Sequence, residues 1–285
     1  PMFRASLEAV LLLRRASVRV STIPAPIRRL EQLGNQLKHS FHTSSPTKMP
    51  PVKIPASEHY DLLVIGGGSG GMGASRRAAS YGKKVAVIEQ AGKLGGTCVN
   101  VGCVPKKLMW HAADLQDKLK EAQEYGFMDA SGSFAVPTVN WNMLVEKRDA
   151  YIRRLNGIYD NNLKKDNVEY ISGHGRLLGN GRVKVSPGVD GVLEKEVVLS
   201  ADHIVVASGG RPSVPSDDEV PGASLGTDSD GFFAWREQPK RVAIVGAGYI
   251  AVELAGVMNA LNSETHLIIR HDQFLRNFDP IISET

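Results

Sequence analysis

A strand, a glycine-rich turn, a helix and a second strand occur twice in this chain, 180 residues apart, and no other feature limits the fold as much. In the first copy, Tyr60-Asp61-Leu62-Leu63-Val64-Ile65 is an apolar run of strand length, as a buried parallel sheet requires. Gly66, Gly68 and Gly71 follow in G-x-G-x-x-G spacing. The first glycine permits a tight turn, the second lets the backbone approach a pyrophosphate, and the third lets helix and strand pack closely. Amides at the helix start then face the phosphates. An alanine-rich helix runs to Tyr81-Gly82, and Lys84-Val85-Ala86-Val87-Ile88 is the next strand. Glu89 ends that strand 23 positions after Gly66, where a carboxylate accepts from both hydroxyls of a ribose.

The second copy begins with the strand Arg241-Val242-Ala243-Ile244-Val245, followed by Gly246, Gly248 and Ala251 in G-x-G-x-x-A spacing. An apolar helix runs to Leu261, and His266-Leu267-Ile268-Ile269 is the next strand. Its end carries Arg270 and His271, with Arg276 close behind, where the first copy has an acid. A carboxylate suits a ribose diol, whereas arginines suit a 2′-phosphate. Two units imply two dinucleotides, the second of them phosphorylated. The plainer reading of Arg270 alone is a strand-end surface charge.

Between the two copies lies Gly95-Gly96-Thr97-Cys98-Val99-Asn100-Val101-Gly102-Cys103-Val104-Pro105-Lys106-Lys107, which holds the only two cysteines in 285 residues. Leu108, Leu115, Leu119 and Ala122 repeat at helical spacing until Gly126. Pro105 suits a helix start, so Cys103 is expected at a helix N-terminus, a position that favours thiolate. Lys106 adds positive charge nearby. Cys98 is expected outside the helix, on a short loop containing Gly102. The pair reads as a redox-active disulfide used in exchange chemistry. Two buried small hydrophobes are the alternative, disfavoured by the glycine flanks. Zinc would need two more ligands, and His111 alone is poorly placed.

Charge is divided unevenly. Residues 1–49 hold eight Lys/Arg against Glu8 and Glu31, a net of +6. The remainder carries 26 basic and 28 acidic residues, so the overall +4 belongs to the leader. A nucleic-acid footprint would place the basic residues on the folded body. No apolar run approaches the ~20 residues that span a bilayer. Arg4, Arg14, Arg15 and Arg19 around the apolar run Leu7–Leu13 read as a mitochondrial transit peptide, and Phe41-His42-Thr43-Ser44-Ser45 resembles the cleavage region of fungal presequences. A solvated tail without an address is the alternative. Met49 is a possible internal start, so the expected location is the mitochondrial matrix, the cytoplasm or both.

The cysteine run resembles the signature of the class I flavoprotein disulfide reductases. Residues 59–285 resemble most the branch of that family that reduces glutathione disulfide. The resemblance implies FAD at the first glycine motif and NADPH at the second. It implies Cys98 as the interchange thiol and Cys103 as the charge-transfer thiol. Ser69, Gly70, Glu89, Gly96, Thr97 and Lys106 match flavin-contacting positions. Gly175 matches a backbone contact on the adenine side of FAD. Ala207-Ser208-Gly209-Gly210 resembles the A-T-G-G segment that closes the first flavin half, with Ser208 in place of Thr. Ala247 and Ile250 match nicotinamide-cofactor contacts, Tyr249 a tyrosine that shields the flavin, and Glu253 a partner for Lys106. Ser69, Arg76, Ile158, Tyr159 and Asn162 match positions that line the glutathione pocket. The lipoamide dehydrogenase branch would prefer an acid at position 270 and has no need of Arg76. The large thioredoxin reductases would need a C-terminal redox centre.

Asn140–Asn162 has a helical pattern with Trp141, Leu144, Val145, Tyr151, Leu155 and Tyr159, read as a solvated, partly apolar helix. Val168–Ser172, Arg182–Ser186, Glu196–Leu199 and His203–Ala207 read as short strands of an antiparallel meander. The expected fold is α/β: two Rossmann-like dinucleotide-binding domains with a β-meander insertion. The expected boundaries are a presequence and linker over 1–55, an FAD-binding part over 56–209 and an NADPH-binding part over 210–285. Because the chain ends inside the second unit, that unit is expected to be incomplete. The resemblance places the second flavin segment, a homodimerisation domain and a His-Pro acid–base histidine beyond Thr285. By the same resemblance the chain alone is expected to be an inactive nucleotide-binding fragment.

Overall fold

The computed structural model describes residues 51–129 and 131–283. The presequence reading and Met49 lie outside them. Among the described residues no helix is long and apolar enough to cross a membrane.

The first strand, β1 (His59–Ile65), leads through the Gly66–Gly68 turn into α1 (Ser69–Ala79) and back to β2 (Val85–Glu89). Four consecutive residues of β2, Val85 to Ile88, are buried, because the strand has neighbours on both faces. A short helix α2 (Gly96–Val101) abuts the long α3 (Cys103–Glu124), and α4 (Trp141–Lys165) follows. Asn140 caps α4 by accepting from Met143 N at 3.0 Å. Three strands come next: β3 (Glu169–Gly179), β4 (Arg182–Pro187) and β5 (Val197–Val206).

These five strands close on themselves in the order β1-β2-β3-β4-β5. β2 runs parallel to β1 and β3. β3–β4 and β4–β5 are antiparallel, and β5 returns parallel to β1. The meander is therefore built into the same sheet as the first nucleotide unit. The two strands expected at Glu196–Leu199 and His203–Ala207 are one. Ser200 is the reason: it pairs with Arg182 of β4 and with His59 of β1, so the polar residues between the apolar runs stay extended while the strand changes partners.

After a turn at Ala223–Leu225 come the short α5 (Ser229–Phe232), β6 (Arg241–Val245), α6 (Tyr249–Ala260), β7 (Glu264–Ile268) and α7 (Pro280–Ser283). β6 and β7 pair in parallel, Val242 with Thr265 and Ile244 with Leu267.

Three apolar clusters hold these layers. One fills the barrel, with Tyr60, Leu63, Ile88, Ile171, Val183, Val185 and Leu199. A second seats α1 and the end of α4 on the sheet through Val64, Met72, Val87, Leu94 and Leu163. The third joins the two glycine-loop units: Met109 and Ala113 of α3, Trp141 and Val145 of α4, Phe232 and Phe233, and Leu254, Val257 and Met258 of α6. Helix α4 is accordingly not a solvated helix. Its inward residues, from Trp141 through Ile152 to Leu163, are buried along its whole length.

Candidate functional site

The first glycine loop is fixed by backbone hydrogen bonds to three segments. Gly66 N donates to Ile88 O at 2.8 Å, Ala207 N donates to Ile65 O at 2.8 Å, and Gly95 N donates to Gly67 O at 2.8 Å. Gly66 has φ +111, and a Cβ there would sit 2.2 Å from Ala207 O. A Cβ on Gly96 would lie 2.7 Å from Gly68 Cα. The loop after β1 and the start of the cysteine run therefore cross at van der Waals distance, and the crossing requires glycine at Gly96, where φ is also +58. Helix α1 begins here with no acidic residue and no side-chain cap in its first turn, leaving its amides available to an anion. Ser69 and Gly70 are exposed at that end.

Glu89 lies beside this loop, with a role beyond the one read from its position. Its Oε2 accepts from Gly67 N and its Oε1 from Ala91 N, both at 2.8 Å. The carboxylate braces the glycine turn and keeps further lone pairs for a ligand. Gly175 lies on β3, Ser208 and Gly209 in the exposed segment after β5.

Cys103 is the first residue of the 22-residue α3, and Pro105 is buried in its first turn, as the spacing predicts. Cys98 differs from expectation. It sits inside α2, not on an open loop, because Gly95 and Gly96 adopt positive φ and turn the chain straight into a helical turn. Gly102 separates the helices; a Cβ there would lie 2.8 Å from Thr97 O and 3.2 Å from Cys98 Cα. Both sulfurs are free thiols, Cys98 half-buried and Cys103 exposed. Burial pushes the Cys98 thiol up, and a hydrogen bond and charge from Cys103 push it further. Thr97 is exposed beside it.

Lys106, one turn into α3, does not leave its charge to the cysteines alone. Its Nζ donates to Glu253 Oε1 of α6 at 2.6 Å. The two residues paired from sequence thus meet, and they tie the cysteine helix to the helix behind the second glycine loop. Tyr249 and Ile250, at the exposed start of α6, are 57% and 44% accessible.

At the second loop, Gly246 to Gly248 share a cleft of about 320 Å³ with Arg270, His271 and Arg276. Ala247 and Leu275 close it through a hydrogen bond from Leu275 N to Ala247 O at 2.9 Å, which folds the arginine segment back over the glycines. Gly248 caps α6 without a side-chain bond, and the first turn of α6 is free of acids.

Arg76 is placed differently from a free anion binder. Its Nε donates to Asp166 Oδ2 at 2.5 Å, in a cleft of about 560 Å³ between the C-terminal ends of α1 and α4 that also holds Arg77 and Lys165. Asp166 was not singled out in the sequence, and an acid after a helical run gives no signal of its target. Tyr159 packs on the cluster of Met72 and Leu163, while Ile158 points to solvent at 39% exposure. Asn162 is half-buried on the same helix. No cluster of His, Cys, Asp and Glu suited to a metal occurs among the described residues.

The family model of the pyridine nucleotide-disulphide oxidoreductases matches residues 60–285. The chain belongs to this family. Among curated relatives, a glutathione reductase of Schizosaccharomyces pombe is 57% identical over 231 residues, covering 81% of this chain and 48% of the relative. Glutathione reductases of Yarrowia lipolytica and Debaryomyces hansenii are 53% and 47% identical, covering 80% and 81% of this chain and 47% and 50% of theirs. The chain spans about half the length of these relatives. Within the pyridine nucleotide-disulphide oxidoreductase family, then, what this structure contains is the cysteine pair and both glycine loops.

Proposed function

We propose that this chain is the redox-pair and nucleotide-binding part of an NADPH-dependent, FAD-containing reductase of glutathione disulfide. The observation that carries the reading is the convergence of both glycine-loop units on the cysteine run: Gly95 and Gly96, just before Cys98, pack against the first loop, and Lys106, one turn after Cys103, holds the helix of the second loop. The similarity to three glutathione reductases supports the substrate. Two Rossmann-like domains, over 56–209 and 210–285, follow from the same reading.

A side chain at Gly96 would run into the first glycine turn at Gly68, and the open amides of α1 suit a pyrophosphate. Gly66, Gly68, Ser69, Gly70 and Gly71 would hold FAD there, with Glu89 on its ribose and Gly175, Ser208, Gly209, Thr97 and Lys106 along its length. Gly246, Ala247, Gly248 and Ile250 would hold NADPH, with Arg270, His271 and Arg276 around its 2′-phosphate. Tyr249 would screen the entry between the two. When bound, the flavin supplies two-electron transfer between nicotinamide and disulfide.

The chain's own chemistry is thiol–disulfide exchange. Cys98 thiolate attacks one sulfur of glutathione disulfide, the S–S bond breaks, and one glutathione leaves and takes a proton. Cys103 then attacks Cys98 Sγ in the mixed disulfide, releasing the second glutathione and leaving a Cys98–Cys103 disulfide. Arg76, Ile158, Tyr159 and Asn162 would hold the peptide, which requires Arg76 to exchange or share Asp166. A homodimer, and a mitochondrial or cytoplasmic location supported by the leader's composition, complete the proposal.

The test uses single-cysteine variants of the chain and oxidised glutathione. Loaded with FAD, which would cover the charge-transfer thiol, Cys103→Ser should accumulate one glutathione on Cys98, and Cys98→Ser should leave Cys103 largely unmodified, both read by intact mass. Equal modification of both variants, or of neither, would overturn the assignment.

A further inference from the structure

Cys98 is held in place by two amide side chains. Asn100, two residues beyond it, donates through Nδ2 to Gly96 O at 2.9 Å and Leu94 O at 3.2 Å, locking the turn from within. Asn156, from the middle of α4, is only 9% exposed. It donates through Nδ2 to Leu94 O at 2.8 Å and to Asn100 Oδ1 at 3.0 Å. All four amide hydrogens are used, and Leu94 O accepts twice. Asparagine is a poor residue for the middle of a helix unless its side chain has work outside it. Here that work is to fasten α4 to the segment that carries Cys98.

Cys103, by contrast, rides on α3, a long helix packed on α4 and α6. The relative position of the two sulfurs therefore depends on where the α2 turn sits against α3. Gly102 lets the helices abut, and the amide pair decides how tightly. Disulfide bonding needs a narrow range of Cα and Cβ separations. A turn held in register keeps the effective concentration of one thiol at the other high, and a loosened turn lowers it.

We propose that Asn156 and Asn100 are positioning residues for the cysteine pair, and that their hydrogen-bonded clamp sets the balance between dithiol and disulfide. Neither touches a sulfur in any hydrogen bond of the structure; both act through the backbone at Leu94 and Gly96. Tyr159 lies three residues after Asn156, so the helix read as carrying the substrate pocket also anchors the interchange cysteine. The inference rests on the reading of Cys98 and Cys103 as an exchanging pair.

The experiment equilibrates the full chain with glutathione buffers of graded ratio and counts Cys98–Cys103 disulfide by alkylation and mass spectrometry. Two thiols of the chain give two electrons and two protons to one glutathione disulfide, which leaves as two glutathione molecules. For Asn156→Ala the equilibrium constant for this oxidation should fall by more than about twofold and at most about tenfold, the ceiling set by buried hydrogen bonds of ordinary strength, since only the part of the clamp's strength that differs between disulfide and dithiol enters. Asn156→Asp sets an oxygen against two acceptors and should fall further at neutral pH, recovering part of the loss in acid as the carboxyl regains a proton. Alkylation of Cys98 should accelerate relative to Cys103 in both. If Asn156→Ala melts below the assay temperature, Asn100→Ala carries the same test from a half-buried position. Variants that stay folded and match the parent within about twofold, well under one ordinary hydrogen bond, overturn the clamp alone. A parent chain that forms no internal disulfide at any ratio overturns the exchange reading and the clamp with it.

Discussion

Lys106 Nζ lies 2.6 Å from Glu253 Oε1, and the pair connects the helix that starts at Cys103 with the helix that starts at the second glycine loop. The Lys106 side chain is 23% accessible and that of Glu253 38%, so water screens the pair in part. Its coupling should be modest, about 0.5–1 kcal/mol. Lys106→Met, Glu253→Gln and the double variant form a cycle that measures it by urea unfolding. The double variant should cost less than the two singles added, by that coupling. Strict additivity would mean that the apolar contacts between Met109, Leu254 and Met258 carry the α3–α6 contact without it.

The Cys98 thiol is pushed above the ordinary cysteine range, first by burial and then by Cys103. Its alkylation should rise with pH later than that of an exposed cysteine. Cys103→Ala removes the second cause and keeps the first, so the midpoint should fall without reaching the exposed value. The sign for stability follows. A thiol whose pKa is raised by folding contributes stability that is present below the unfolded value and lost as pH climbs through the folded one. Melting temperature should therefore decline at alkaline pH, and less so in Cys98→Ser.

Arg148 is an almost fully buried cation, its side chain 1% accessible. It donates from Nη2 to Phe233 O and to Asp149 Oδ1, both at 2.7 Å, and lies 5.7 Å from the Phe233 ring centroid. Asp149 is also held by the exposed Arg236 at 2.6 Å. Burial raises the Asp149 carboxyl, but the bonds from both arginines together hold it below the usual range. Arg148→Ala should cost about 3 kcal/mol or more, because it leaves a carbonyl and a carboxylate underbonded inside the joint between α4 and the segment before β6. Arg236→Ala should cost under about 1 kcal/mol, since its side chain is 69% accessible. The Asp149 contribution is present above the unfolded carboxylate range and fades as pH falls below it. Denaturant unfolding at neutral and acid pH separates these outcomes.

Both strand–glycine–helix–strand units and the helix at Cys103 were legible because each is written in local chemistry: an apolar run, glycines at fixed spacing, a proline near a helix start. Glu89 was placed correctly but its grip on Gly67 N was not, since a side chain that reaches 22 residues back leaves no periodic trace. The meander strands were legible in part. Ser200-Ala201-Asp202 looks like a break, and only the change of partner from β4 to β1 keeps it extended. The burial of α4 was missed because its inward face mixes Arg148 and Asn156 with Trp141 and Val145, so apolar periodicity understates it. Those same polar residues were the available signal, because a charge or amide inside a helix stripe implies a specific partner.

Gly71 and Gly73 stand two residues apart on α1 and should respond to the same substitution with opposite signs. A Cβ on Gly71 would lie 1.8 Å from Gly66 O and 3.2 Å from Val64 Cγ1, so backbone would collide with the turn it packs on. No rotamer change relieves a clash with a backbone carbonyl, and α1 would have to lift off β1. Gly71→Ala should cost about 3 kcal/mol or more, in the range of the worst overpacking changes. Gly73 is exposed, a Cβ there meets nothing within 4 Å, and its φ is not positive. Gly73→Ala should stabilise by about 0.5–1 kcal/mol, through helix propensity and a less flexible unfolded chain. Thermal unfolding of the two variants beside the parent decides it. If both lower the melting temperature alike, the close contact between α1 and the turn after β1 is not what selects glycine at Gly71.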